Sequence, residues 1–239
     1  MVRFEISGSV DPLLTVSLDT GEKVLAESNA MVAMDGTLSL KGKSRGGVLK
    51  SIARKFFNDE TFFQQYIEAE DGPGQVLLAP NIPGDICLLD VGDRQYLISD
   101  GAFLAATVDV DLEVKSQGLG RALLGDSGGF FVTKTNGRGT VAVSGLGSIR
   151  ELTVSPGRTI IVDNGHLVAW DSKLNYELSL NTTKSGLLGK LVHSQTTGEG
   201  IVLKFKGEGK VLVCSRNKGG FLDWIFSQPN TEKVLKNDK

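Results

Sequence analysis

The residues of this 239-residue chain whose rarity or setting first suggests catalysis or metal binding are two histidines, two cysteines and one serine in a glycine loop. His166 stands in "VDNGHLVAWD", from Val162 to Asp171, and His193 in "KSGLLGKLVHSQ". A metal centre in the mouth of a β-barrel needs about three imidazole or carboxylate ligands that converge. The chain has no His-x-His pair and no glutamate at helical spacing from His193, so no metal is expected. "GDSGG", Gly125 to Gly129, looks like the nucleophile motif of a serine protease. A triad also requires a placed histidine and aspartate, and no such set accompanies it. "GLGRALLGDSGG" lacks the Gly-Lys-Ser/Thr ending of a phosphate loop. Glycine pairs here precede strands, whereas a dinucleotide loop opens a helix. Cys87 and Cys214 have no metal-ligand spacing and are too few for a disulfide framework. They are expected to be buried free thiols. The expectation is therefore no catalytic residues, no cofactor and no metal.

The elements that must position these residues recur along the chain. "SNAMVAMDGTLSL" (28–40), "DGAFLAATVDVDL" (100–112) and "NGHLVAWDSKLNY" (164–176) align without a gap. Asn29, Gly101 and Gly165 share the turn, which calls for a positive φ. Met31, Phe103 and Leu167, then Ala33, Ala105 and Ala169, follow at the spacing of two expected of a strand with one buried face. Upstream, each block has a strand ended by a glycine, at Gly21, Gly92 and Gly157. Downstream, "GPGQVLLA", "GRGTVAVS" and "GEGKVLVC" each lead from a Gly-x-Gly turn into alternating apolar residues. A unit of this kind cannot bury its own apolar face, so the three should share a core. The expected fold is all-β: one domain, 1–216, of three pseudo-symmetric β-helix-like repeats at about 14–79, 86–144 and 149–214. One or two short helices are expected in the connections, notably the basic amphipathic stretch Gly47 to Phe57. Residues 217–239 read as an apolar segment followed by a charged tail. His166 aligns with Ala30 and Ala102, so the scaffold forms without an imidazole there; it reads as a surface or turn residue.

Composition bounds the partners. With 26 basic and 28 acidic residues, the net charge of −2 gives no field to gather nucleic acid. No stretch approaches the roughly 18 apolar residues of a membrane span, and "MVRFEISGSV" has no apolar core of a signal peptide. A soluble cytoplasmic protein is expected, with a peripheral membrane contact through the basic helix left open. Phe221, Leu222, Trp224, Ile225 and Phe226 crowd together after the last repeat, in "GGFLDWIFSQPN". Too apolar to stand in water, they either fold back on their own domain or form the candidate interface, for a second copy of the chain or an unidentified protein partner.

The anchors "GEKVLAESNAMVAMD", "GPGQVLLAPNIPGDI" and "IVDNGHLVAW" resemble the altered-inheritance-of-mitochondria β-domain family, over about Met1 to Arg216. The resemblance implies a fold like that of the trp RNA-binding attenuation protein and no established catalytic residues. Fungal members are associated with inner-membrane organisation in mitochondria. The expected function is a non-enzymatic scaffold or interaction protein that self-associates. The alternative is a small-molecule sensor with its ligand held among the repeats. RNA binding by fold analogy ranks below both, since no aromatic-and-basic stripe supports it.

Overall fold

The structure, a computed structural model, describes residues 1–43, 64–117, 130–180 and 201–228. It is all-β apart from one short 3-10 turn and one helix among the described residues. After an N-terminal strand, β1 (Arg3–Ser7), come three sets of six. The first is β2 (Leu13–Leu18), β3 (Lys23–Glu27), β4 (Met31–Met34), β5 (Leu38–Lys43), β6 (Gln64–Ala69) and β7 (Gly74–Leu78). The second is β8 (Gly84–Val91), β9 (Tyr96–Ser99), β10 (Phe103–Thr107), β11 (Val110–Gln117), β12 (Phe130–Gly137) and β13 (Gly139–Leu146). The third is β14 (Ile149–Val154), β15 (Ile160–Asp163), β16 (Leu167–Asp171), β17 (Asn175–Leu180), β18 (Ile201–Lys206) and β19 (Gly209–Cys214). Helix α1 (Lys218–Phe226) follows.

Each set makes the same four antiparallel pairings: first strand with sixth, third with sixth, second with fifth, fourth with fifth. A register shift interrupts the third strand at one equivalent place in every set, between Met31 and Ala33, Phe103 and Ala105, and Leu167 and Ala169. The extra residue bends the strand and increases its local twist. Between sets, the second strand of one pairs with the third strand of the next: β3 with β10, and β9 with β16. The result is four sheets, β1-β2-β7-β4, β5-β6-β3-β10-β13-β8, β11-β12-β9-β16-β19-β14 and β15-β18-β17.

Alternation drives the layering. In β2, "LLTVSL", Leu14, Val16 and Leu18 are buried and the residues between them are not. Three apolar clusters fill the gaps between successive sheets. One holds Trp170, wholly buried, edge-on to Tyr176 at 5.4 Å and Phe205 at 5.7 Å. Ala105 and Ala169 are fully buried at the junctions between sets, where a larger side chain would part the strands; Ala33, at the chain's first third-strand position, is exposed. Gly72, Gly137 and Gly207 all have positive φ in the hairpin turns.

The turn before the third strand differs from expectation in one set. Asn29 and Gly101 take φ of 67° and 71°, but Gly165 lies outside the left-handed region, in a 3-10 turn of Asn164–His166. Gly165 is required there by close approach to another residue, described below. The expected connection helices, including Gly47 to Phe57, the "GDSGG" loop, His193 and the charged end after Gln228 lie outside the described residues.

Candidate functional site: a cleft roofed by the C-terminal helix

The stretch "VDNGHLVAWD" ends β15, makes the 3-10 turn and enters β16. Its work is mechanical. Asp163 Oδ1 accepts from the Gly165 amide at 2.7 Å, closing the turn, and from Asn217 Nδ2 at 3.4 Å. Asn217 Oδ1 in turn accepts from the Gly220 amide at 3.2 Å, which caps the first turn of α1. A Cβ on Gly165 would stand 2.5 Å from Asn217 Cγ and 2.8 Å from its Oδ1. Only glycine leaves room for the asparagine. The turn therefore aims α1.

His166 Nδ1 lies 2.8 Å from the Cys214 carbonyl oxygen. A carbonyl only accepts, so Nδ1 carries the hydrogen and Nε2 is left as the second ring nitrogen. The ring fastens the turn to β19. The Cys214 thiol donates to the Arg216 carbonyl at 3.2 Å, and burial pushes its pKa up. Burial also pushes up Cys87, with the Glu151 and Asp85 charges adding to the effect. Both cysteines are free thiols, as expected, but only Cys214 is buried and Cys87 is half-buried; both have little thiolate to offer as nucleophile or ligand at neutral pH.

His166, Asn217 and Gly220 border a cleft of about 800 Å³. Its floor is tight backbone where the second and third sets meet. Gly84 bridges Gly147, and a Cβ on Gly145 would stand 2.8 Å from Cys214 Cβ and 2.9 Å from Val168 Cγ2. Asp85 ties this floor together: Oδ1 accepts from the Ile86 amide at 2.9 Å and Oδ2 from the Ile149 amide at 3.0 Å. Val10, 82% exposed, forms one lip, and Phe221 and Trp224 of α1 form the other, stacked at 6.2 Å. Arg216 also lines the cleft and is exposed; among the described residues its guanidinium makes no ion pair.

The five candidate interface residues all fall on α1, and none is buried. Trp224 is 61% exposed, Phe226 55%, Leu222 39% and Phe221 37%. Two functional neighbours escaped sequence reasoning. Asn217 carried a legible signal, an asparagine directly before a helix-forming run. Arg216 carried none, because its setting depends on turns remote in sequence. Among the described residues, no three His, Cys, Asp or Glu side chains are grouped to hold a metal, and no helix is long and apolar enough to cross a membrane.

Fold and site define an all-β protein of stacked antiparallel sheets with an open cleft where the second and third strand sets meet and an apolar helix beside it. The chain belongs to the family described as Mitochondrial biogenesis AIM24, whose model matches residues 4–216. An uncharacterized protein of Streptococcus pyogenes serotype M6 is 34% identical over 223 residues, covering 90% of this chain and 86% of the relative. The altered inheritance of mitochondria protein 24 of Verticillium alfalfae is 26% identical over 189 residues, covering 77% of this chain; the match spans 47% of that longer fungal protein. The crystal structure of a Streptococcus pyogenes protein superposes with a TM-score of 0.77 at 32% identity, over 94% of this chain and 98% of that one.

Proposed function

We propose that this chain is a non-catalytic interaction protein, an all-β scaffold that presents α1 as a docking face for a second copy of itself. The observation that carries the reading is the exposure of Trp224, Phe226, Leu222 and Phe221 on one short helix. Fully burying such a side chain is worth about 1.5–3 kcal/mol, so covering the part of each that is exposed here contributes about 1 kcal/mol, and tryptophan is among the residues most enriched in binding hot spots. Between Phe221 and Phe226, Asp223 is the single charge, so the face meets a copy of itself without like-charge crowding. A symmetric pairing of identical patches is the common form of homo-oligomer. The polar groups nearest the helix support a structural part: the Asp85 oxygens, His166 Nδ1 and the Asn217 side chain are spent on backbone and capping bonds.

The test is to remove Phe221 to Lys239 and compare masses by light scattering. A loss of mass relative to the full chain supports the reading. A full chain that is already monomeric, or a truncated one of unchanged mass, sinks it.

The cleft itself favours a second reading, a small-molecule sensor. Its volume of about 800 Å³ is within the range of ligand sites. A wall of Trp224 and Phe221 with the Arg216 cation suits a ligand with an apolar body and an acidic head. The space between the strand sets does not serve, being filled by Leu104, Ala105 and Ala142 at 0% exposure. A thermal-shift screen of acidic metabolites, repeated on Arg216→Ala, tests this: stabilisation lost in the variant supports it, and no stabilisation by any compound removes it.

A further inference from the structure

Two junctions inside the chain are complete, and the same junction is left half-made at each end. At the first, β3 meets β10 with Ala26 opposite Ala105 and Leu25 opposite Ala106. At the second, β9 meets β16 with Ile98 opposite Ala169 and Leu97 opposite Trp170. The strand pairings within the sets make β15 the equivalent of β3 and β9, and β4 the equivalent of β10 and β16. Neither finds the partner its equivalents have. Among the described residues, the only strand beside β4 is β7, and the only one beside β15 is β18. Two sheets consequently hold six strands, while the terminal ones stop short at four and three.

Burial records the missing partner residue by residue. Leu104 and Val168 are 0% and 1% exposed, while their counterpart Val32 on β4 is 55% exposed. Leu25 and Leu97 are 5% and 7% exposed, while their counterpart Ile161 on β15 is 59% exposed. Charge marks these two edges as well. Of the eight sheet edges, six carry charge within the strand: Arg3 on β1, Lys41 on β5, Asp85 on β8, Asp111 on β11, Arg150 on β14 and Glu177 on β17. Charged residues are the usual guard against strand addition. Strand β4, "MVAM", has none, and β15, "IIVD", is charged only at its last residue.

We propose that β15 of one copy of this chain pairs with β4 of the next, antiparallel, with Ala33 opposite Val162, Met34 opposite Ile161 and Asp35 opposite Ile160. The register is that of the two internal junctions carried to the ends. The pairing joins the three-stranded and four-stranded sheets into one sheet across two chains and covers Val32 and Ile161. The two edges are different surfaces, so the contact is head-to-tail. It generates a ring where the rotation closes and a filament where it does not. The inference deepens the self-association proposed above but uses none of α1.

The experiment is sedimentation of the full chain with Val32→Lys and Ile161→Lys, alone and mixed. Both sites are exposed, and circular dichroism and melting establish that each variant folds as wild type. Wild type should sediment as a multiple of one chain, and each variant should lose that association. The mixture is diagnostic. Val32→Lys keeps an intact β15 and Ile161→Lys an intact β4, so together they make one good junction. They should form a species of two chains and nothing larger, even where a single variant is less stable. A paired Met34→Cys and Ile161→Cys chain should cross-link between molecules under oxidation. A wild-type monomer at the highest soluble concentration, single variants of wild-type mass, or a mixture that stays monomeric overturns the pairing. Truncation of α1 separates the two ideas: if it alone changes the mass, the strand junction fails and the helix face stands; if only the lysine variants do, the reverse holds.

Discussion

The cap on α1 is the weakest support of the proposed docking face, and removing it has a calculable effect. Helix α1 has nine residues, none buried, and carries Gly219 and Gly220 in its first turn. Isolated helices below about 12–15 residues are marginal in water, and a glycine costs about 1 kcal/mol against alanine in a helix interior. The Asn217 side chain, accepting from the Gly220 amide at 3.2 Å, is what the structure offers against that deficit. Asn217→Ala should cost the helix about 1 kcal/mol, a drop of about fivefold in its formed-to-frayed ratio. Gly165→Ala should act on the same bond by steric means, since its Cβ would stand 2.5 Å from Asn217 Cγ. The double variant should cost little more than one single, because the second change removes what the first already broke. Asn217→Ser, which retains a capping oxygen, should restore most of the loss. Amide exchange read by NMR at Phe221 to Ser227 is the assay, with the β16 and β19 amides as the internal reference. Unchanged exchange in α1, strict additivity of the two changes, or loss of protection spreading into β19 would each refute the capping argument.

Trp170→Ala should lower stability by about 3–5 kcal/mol in urea melts, because the ring is wholly buried against Tyr176 and Phe205; a loss under 1 kcal/mol would mean that this cluster is loosely packed. Glu68 lies between Lys23 and Lys41, whose ammonium groups hold its carboxyl below the usual range; Lys41, bonded to Glu70 and Glu68, is held above its own. The depressed carboxyl contributes above its unfolded pKa and loses that contribution as pH falls through the folded value. The raised ammonium contributes below its unfolded pKa and loses it as pH rises through the folded value. The network therefore supports stability across neutral pH and fades in acid and in strong base, weakly, because Lys23, Lys41 and Glu70 are exposed and Glu68 is only half-buried. Urea midpoints from pH 7 to pH 3 should fall less steeply in Lys41→Met, and an unchanged profile would remove this network from the acid response. Cys87 and Cys214, pushed up by burial, should react with a thiol reagent at pH 8 far more slowly in the native protein than in urea; equal rates would show that the core opens readily.

Period-two alternation and the Gly-x-Gly turns made the strands legible, because side-chain direction and positive φ are local properties. The hairpin glycines at 72, 137 and 207 show this directly. Gly165 shows the limit. Its alignment with Asn29 and Gly101 pointed to the same backbone conformation, but it is small because Asn217 packs on it, 52 residues later in the chain. The candidate site was legible as a list of five apolar residues, not as a place. Its other components, Val10, Asp85, His166 and Arg216, come from separate turns that approach one another only when the strand sets stack.

By itself, then, the order of residues determined the strands and the correspondence of "NAMVAM", "GAFLAA" and "GHLVAW", since each follows from neighbours within one turn or one hairpin; the single buried face expected of these strands did not hold, for β10 and β16 are buried on both faces. Which of these equal strands would be covered was decided only by tertiary structure. Ala33, Ala105 and Ala169 are the same residue at equivalent positions, yet the latter two are buried at 0% and Ala33 is exposed. A middle set has a neighbour on both sides and an end set has one. That difference belongs to the assembled stack of sheets, and no local pattern of residues encodes it.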